Sequence, residues 1–133
     1  MLGEQIGESR GKRTGRRVLS VEGGFKVEVA FESVGKLLGI DVNEIGTYWS
    51  ASRPDGTLYG EGQGVVIGSE GSNATWKGQG VGKFVGGGAV SYRGAVYYST
   101  ASPKLAQLNS VAAVFEFEVD ADGNTKSKLW EWK

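Results

Sequence analysis

The chain has 133 residues, and its fifteen basic and fifteen acidic side chains cancel, so no whole-molecule field draws it to nucleic acid or to an anionic membrane. It contains neither cysteine nor histidine, which excludes disulfides, thiol chemistry, the usual zinc ligand sets and every nucleophile and histidine dyad. The length suits a single domain with a real core across residues 1–133, and glycine, at 23 residues, stands far above the ~7% of an average protein.

The first segment, residues 3 to 17, places Gly3, Gly7, Gly11 and Gly15 four apart with charges between them. Such a pattern fits a strand over about Gly11 to Leu19 and a mobile end over residues 1–10 equally well. After Glu22-Gly23-Gly24, the run Phe25 to Glu32 alternates strictly, with Phe25, Val27, Val29 and Phe31 against Lys26, Glu28 and Glu32. That is the mark of a half-buried strand. Ser33 to Ile40 either extends it or bends away. Ile45 to Ser52 reads as a strand with Tyr48 and Trp49 on opposite faces, closed by the turn former Pro54-Asp55-Gly56.

Residues 59 to 82 form the most distinctive stretch, because Gly-Gln-Gly-Val occurs twice, at Gly62–Val65 and Gly78–Val81, on either side of the turn-forming Ser69 to Asn73. A hairpin centred near Gly71 pairs Gln63 with Gln79. Period two then puts Glu61, Gln63, Gln79 and Val81 on one face and a row of glycines on the other. Gly86-Gly87-Gly88 breaks the chain before a strand over Ala89 to Thr100, in which Ser91, Arg93 and Tyr97 oppose Val90, Tyr92, Val96 and Tyr98. Ser102-Pro103 predicts the single helical turn, Pro103 to Asn109. Val111 to Val119 and Thr125 to Trp132 return as strands around Asp120-Ala-Asp-Gly-Asn124, with Trp130 and Trp132 sharing a face.

Sequential antiparallel strands, roughly seven to nine of them, with glycine concentrated between Gly56 and Gly94, predict an all-β fold: a closed antiparallel β-barrel of about eight strands. Such a barrel is just wide enough inside for side chains or one small ligand. If the Gln63 face looks inward, Glu61, Gln63, Gln79, Arg93 and Tyr97 converge on that space as ligand-binding residues. Glu61 is then both the acidic partner that an inward Arg93 requires and the weak candidate for acid/base work. The alternative is that the glycine face is the inner one and the glutamines meet on the outside. Glu116 and Glu118 alternate with Phe115 and Phe117, so they read as solvated, with Lys126 and Lys128 as cross-strand partners. The Gly60-Glu-Gly-Gln-Gly run has no following helix and no phosphate-loop lysine. The basic segment from Arg10 to Arg17 lacks the interleaved aromatics of a single-strand binder.

Four stretches, Gly78-Gln-Gly-Val-Gly-Lys-Phe84, Val90-Ser-Tyr-Arg-Gly-Ala-Val-Tyr-Tyr98, Lys104-Leu-Ala-Gln-Leu-Asn109 and Phe115-Glu-Phe-Glu-Val119, carry a resemblance to the small uncharacterised bacterial proteins with an allene oxide cyclase-like β-barrel, the DUF3224-type group. The resemblance covers about Gly56 to Trp132 and implies an eight-stranded barrel with a central cavity and a tendency to homo-oligomerise. Plant allene oxide cyclases are similar at the level of fold, but their site residues have no matching motif here, and a fold alone does not settle a function. The expectation is a barrel that binds a small apolar or amphipathic molecule, without cofactor, metal, nucleic acid or membrane. A cofactor-independent isomerase or cyclase in the same cavity, and a structural or oligomerisation module with a filled interior, are the alternatives. The longest apolar run, Val111 to Phe115, is too short to span a bilayer or serve as a signal peptide, so a soluble cytoplasmic protein is expected.

Overall fold

The computed structural model describes residues 1–133. Eight strands follow one another around a closed antiparallel barrel: β1 (Leu2–Ser20), β2 (Lys26–Leu37), β3 (Ile40–Ser52), β4 (Leu58–Gly68), β5 (Asn73–Gly86), β6 (Ala89–Ser99), β7 (Ala113–Val119) and β8 (Asn124–Trp132). β1 pairs with β8 from Leu2↔Trp132 to Lys12↔Asn124, which leaves no free sheet edge there. The N-terminal segment is therefore a strand from Leu2 onward and not a mobile end; the glycine at every fourth position sits within a paired ladder.

The turns follow their chemistry. Leu37 pairs with Ile40 across a two-residue loop in which Leu38 and Gly39 both have positive φ, 50° and 79°, as a type I′ turn requires. Leucine is unusual there, and its strain is offset by a hydrogen bond from the Leu38 N–H to the Ile6 carbonyl (2.8 Å) and by packing against the core. Pro103–Ser110 forms a short 3-10 helix, one residue longer than the predicted turn, and a second 3-10 turn covers Ser69–Gly71.

The hairpin of residues 59 to 82 differs from the expectation in register. Glu61 pairs with Gln79, Gly62 with Gly78 and Gln63 with Lys77, two residues away from the Gln63 and Gln79 pairing. A slip of two preserves the division into faces, so both amides remain on one face. That face is the outer one. Ring volume is the reason: a Cβ on Gly64 would lie 2.4 Å from the Trp76 indole, one on Gly46 2.5 Å from Phe31, and one on Gly82 2.6 Å from Tyr92. The glycines are the floor on which the interior aromatics lie.

Two clusters fill the barrel. Leu105 and Leu108 of the 3-10 helix are fully buried and close one end against Ile6, Leu37, Val66, Ala74, Val96, Ala113 and Leu129. Toward the other end Leu58, Tyr92 and Val119 pack with Tyr48, Phe115 and Phe117. At that second rim β1 outruns β8: beyond Lys12 it pairs with β2 alone, so Arg13 to Ser20 form an edge strand on a sheet that continues through β2 into β3.

Candidate functional site

Between the two clusters lies a cavity of about 100 Å³. Its wall is aromatic, with Phe31, Tyr48, Trp76, Tyr92, Tyr98, Phe115 and Phe117 all contributing. The rings meet edge to face or tilted, Tyr48 and Phe117 at 5.7 Å, Phe31 and Phe117 at 5.3 Å, and Tyr48 and Tyr92 at 5.7 Å between centroids. One interior hydroxyl pair is satisfied: Tyr92 donates to Ser50 Oγ at 2.9 Å.

Among these rings stands one carboxylate, Glu44. Along β3 the inward series is Val42, Glu44, Gly46, Tyr48 and Ser50, and Glu44 pairs in register with Ser33 of β2 and Val66 of β4. Ser33 Oγ donates to Glu44 Oε1 at 2.9 Å. Glu44 lines both this cavity and a smaller one of about 50 Å³ beside Leu37 and Leu129, so the surface it keeps is largely cavity wall although protein surrounds it. Burial pushes its carboxyl above the ordinary range, against the smaller stabilisation that Ser33 and the nearby Trp76 give the anion. Trp76 approaches Glu44 without completing a hydrogen bond, and its buried Nε1 has no partner. Tyr98, also on the wall, is held above the usual phenol range by burial and then by the Glu44 charge. A raised carboxyl, an unmet indole N–H and three phenols around one small apolar space constitute the polar equipment of the interior.

Of the five residues expected to line this space, Glu61 and Gln79 border it, but their side chains turn to the Tyr59 hydroxyl on the outer face, and Gln63, Arg93 and Tyr97 do not reach it. Glu61, Gln63, Gln79, Arg93 and Tyr97 are all exposed on the outer face. Glu61 and Gln79 oppose each other there with the Tyr59 hydroxyl between them, 2.8 Å from Glu61 Oε2 and 2.6 Å from Gln79 Oε1. Gln63 lies opposite Thr47 and Lys77, and Tyr97, 54% exposed, lies opposite Lys77 from the other side. Arg93 finds its acidic partners not in Glu61 but on β7, at 2.8 Å from Glu118 and 3.8 Å from Glu116. Glu116 lies opposite Lys128 and Glu118 opposite Lys126 across β7 and β8, but neither forms the expected ion pair, because both carboxylates turn to Arg93.

Glu44 lies one residue before the strand that the sequence predicts from Ile45, inside a strand that in fact begins at Ile40. Continued to Ile40, the same alternation puts a lone glutamate in line with Ile40, Val42, Gly46 and Tyr48, and a charge in an inward series was the available signal.

No protein-family model matches the chain, and no curated protein matches it by sequence. Solved structures share its fold. A protein of unknown function from Clostridium acetobutylicum is 14% identical with a TM-score of 0.85, covering 98% of this chain and 99% of its own. A β-barrel-like protein from Acinetobacter baumannii is 13% identical with a TM-score of 0.83, covering 100% and 96%. An enzyme from Penicillium herquei is 16% identical with a TM-score of 0.69, covering 96% and 92%. At these identities the likeness is one of fold, and the chain is a small closed β-barrel protein. No helix in it is long and apolar enough to cross a membrane.

Proposed function

We propose that the barrel binds a small, largely apolar molecule in its interior, oriented by Glu44 and the Trp76 indole N–H. One observation carries the reading: a carboxylate is held among rings at the wall of a cavity, where no fold requirement places it. A buried polar group without a full set of partners costs about 1–3 kcal/mol, and a guest that supplies the partner removes that cost. The cavity is smaller than the ~150 Å³ apolar cavity known to accept benzene, so the guest fills it with a single ring or a short branched chain. Kinship with the allene oxide cyclase-like barrels belongs to this reading, supported by the closed eight-stranded topology and the central cavity.

The test is a screen of small aromatic and carbonyl compounds by protein-observed NMR. Compounds that shift the Trp76 indole N–H and lose binding in Ser127→Leu, which fills the cavity wall, support the proposal; a screen in which no compound moves an interior resonance contradicts it.

The raised Glu44 carboxyl favours a second reading, a cofactor-independent isomerase. In it Glu44 takes a proton from carbon next to a carbonyl, the C–H pair becomes a C=C bond as the carbonyl π pair moves onto its oxygen, and the carbonyl re-forms as the proton returns to another carbon of the same π-system. Solvent deuterium exchange into a bound enone, lost in Glu44→Gln with binding retained, is the expected signature. Exchange that persists in Glu44→Gln would rule it out.

A further inference from the structure

The extension of β1 beyond β8 carries a detail that bears on what enters the barrel. The register of β1 on β2 shifts between Arg13 and Gly15, with Thr14 as the extra residue. Without that bulge Arg13, Gly15 and Arg17 would share a face. With it Arg13 pairs with Phe31 and Arg16 with Val29, both inward positions, while Arg17 turns out to an ion pair with Glu28 at 3.1 Å. Bulges re-aim side chains, and here the result is two guanidinium groups on the inner face at one rim.

Neither is neutralised. The ion pairs of the chain are Arg17 with Glu28, Lys36 with Asp41, Arg93 with Glu116 and Glu118, and Lys104 with Glu70, and Arg13 and Arg16 belong to none of them. The Arg13 backbone N–H donates to the Gly123 carbonyl at 2.8 Å, and its guanidinium lies over Gly123, in the turn between β7 and β8 at this same rim. Arg13 stands opposite Phe31, a wall residue, and Arg16 opposite Val29, which in turn pairs with Tyr48; burial and then Tyr92 raise the Tyr48 phenol, and the Arg13 and Arg16 charges oppose this. Tyr48 lies four residues from Glu44 on β3, about 13 Å along the strand, so the interior is polarised, acidic toward the helix-closed end and cationic toward the opposite rim.

We infer that the ligand is a small amphipathic anion, its apolar body in the cavity and a carboxylate or similar oxyanion head held at the rim by Arg13 and Arg16. The inference rests on the interior binding proposed above and adds the charge of the guest. Paired guanidinium groups suit a carboxylate because they present parallel N–H donors to its two oxygens.

Benzoate and the neutral benzyl alcohol, similar in ring and length, separate the two claims when titrated by NMR. Benzoate binds the tighter by about tenfold or more, and raising salt to about 0.5 M narrows the gap. The double variant Arg13→Gln/Arg16→Gln loses that advantage while its affinity for benzyl alcohol stays within about twofold. An Arg10→Gln/Arg17→Gln control, with the same change in net charge on the outer face, keeps the benzoate preference. All of these side chains except Arg13 are exposed, and an unchanged melting temperature verifies folding. Equal affinity for the two probes, or benzoate binding that survives in Arg13→Gln/Arg16→Gln, overturns the anion subsite and leaves the cavity proposal standing. Failure of both probes to move interior resonances counts against both.

Discussion

Glu44 is the residue on which the interior chemistry turns, and its protonation couples to stability. Because burial raises its carboxyl in the folded chain, the fold binds a proton more readily than the unfolded chain does. The stability associated with the protonated form is fully present below about pH 4.5, the ordinary value, and is lost as pH rises through the raised value. Glu44→Gln is therefore expected to melt higher than the parent at neutral pH and to converge with it in acid, as thermal unfolding across pH will show. A mutant destabilised at neutral pH would mean that the ionised carboxylate is a structural group. Gln63 and Gln79 are the contrast. On the outer face their replacement by leucine changes stability by no more than about 0.5 kcal/mol and leaves interior ligand shifts intact. The grouping of these two amides was legible from spacing, but the direction of their face was not, since period two divides a strand into sides without naming the inner one.

At the scale of elements, the glycine-rich hairpin shows how that ambiguity resolves. A row of glycines on a strand can face outward, or inward beneath large rings, and only the partners decide. Trp76, Phe31 and Tyr92 need the volume that Gly64, Gly46 and Gly82 vacate, and each ring stands directly opposite its glycine on the neighbouring strand, so the match depends on register. Gly64→Ala puts a methyl into the Trp76 indole and is expected to destabilise by about 1–3 kcal/mol. Gly15→Ala, where a Cβ meets nothing within 4 Å, is expected to be neutral or slightly stabilising, and denaturant midpoints of the two variants distinguish this packing account from a general intolerance of alanine in glycine-rich strands. β2 and β7, expected from Phe25 and Val111 and found from Lys26 and Ala113, were readable because side chains alternate there. The bulge at Thr14, which aims Arg13 and Arg16 at the rim, leaves no mark in the sequence; it exists only in the register of β1 against β2.

For the molecule as a whole, closure follows from length and order. Each strand pairs with the next, and the last finds the first, so every strand has two neighbours along most of its course. Turn signals at regular intervals and the absence of a long helical pattern made the barrel legible. The interior was not, because seven aromatic residues contribute to one cavity wall from strands across the chain, and their convergence depends on the stagger of the closed sheet. The result lies between an empty vessel and a filled plug: most of the volume is occupied by rings, and a small cavity remains beside the one interior carboxylate.

Mapping ligand-induced chemical shifts over the whole barrel tests the central claim most directly. Binding inside predicts the largest changes at the Trp76 indole N–H, at Glu44 and at Tyr98. Changes confined to the outer face, around Gln63, Gln79 and Arg93, would contradict it and return the site to the surface.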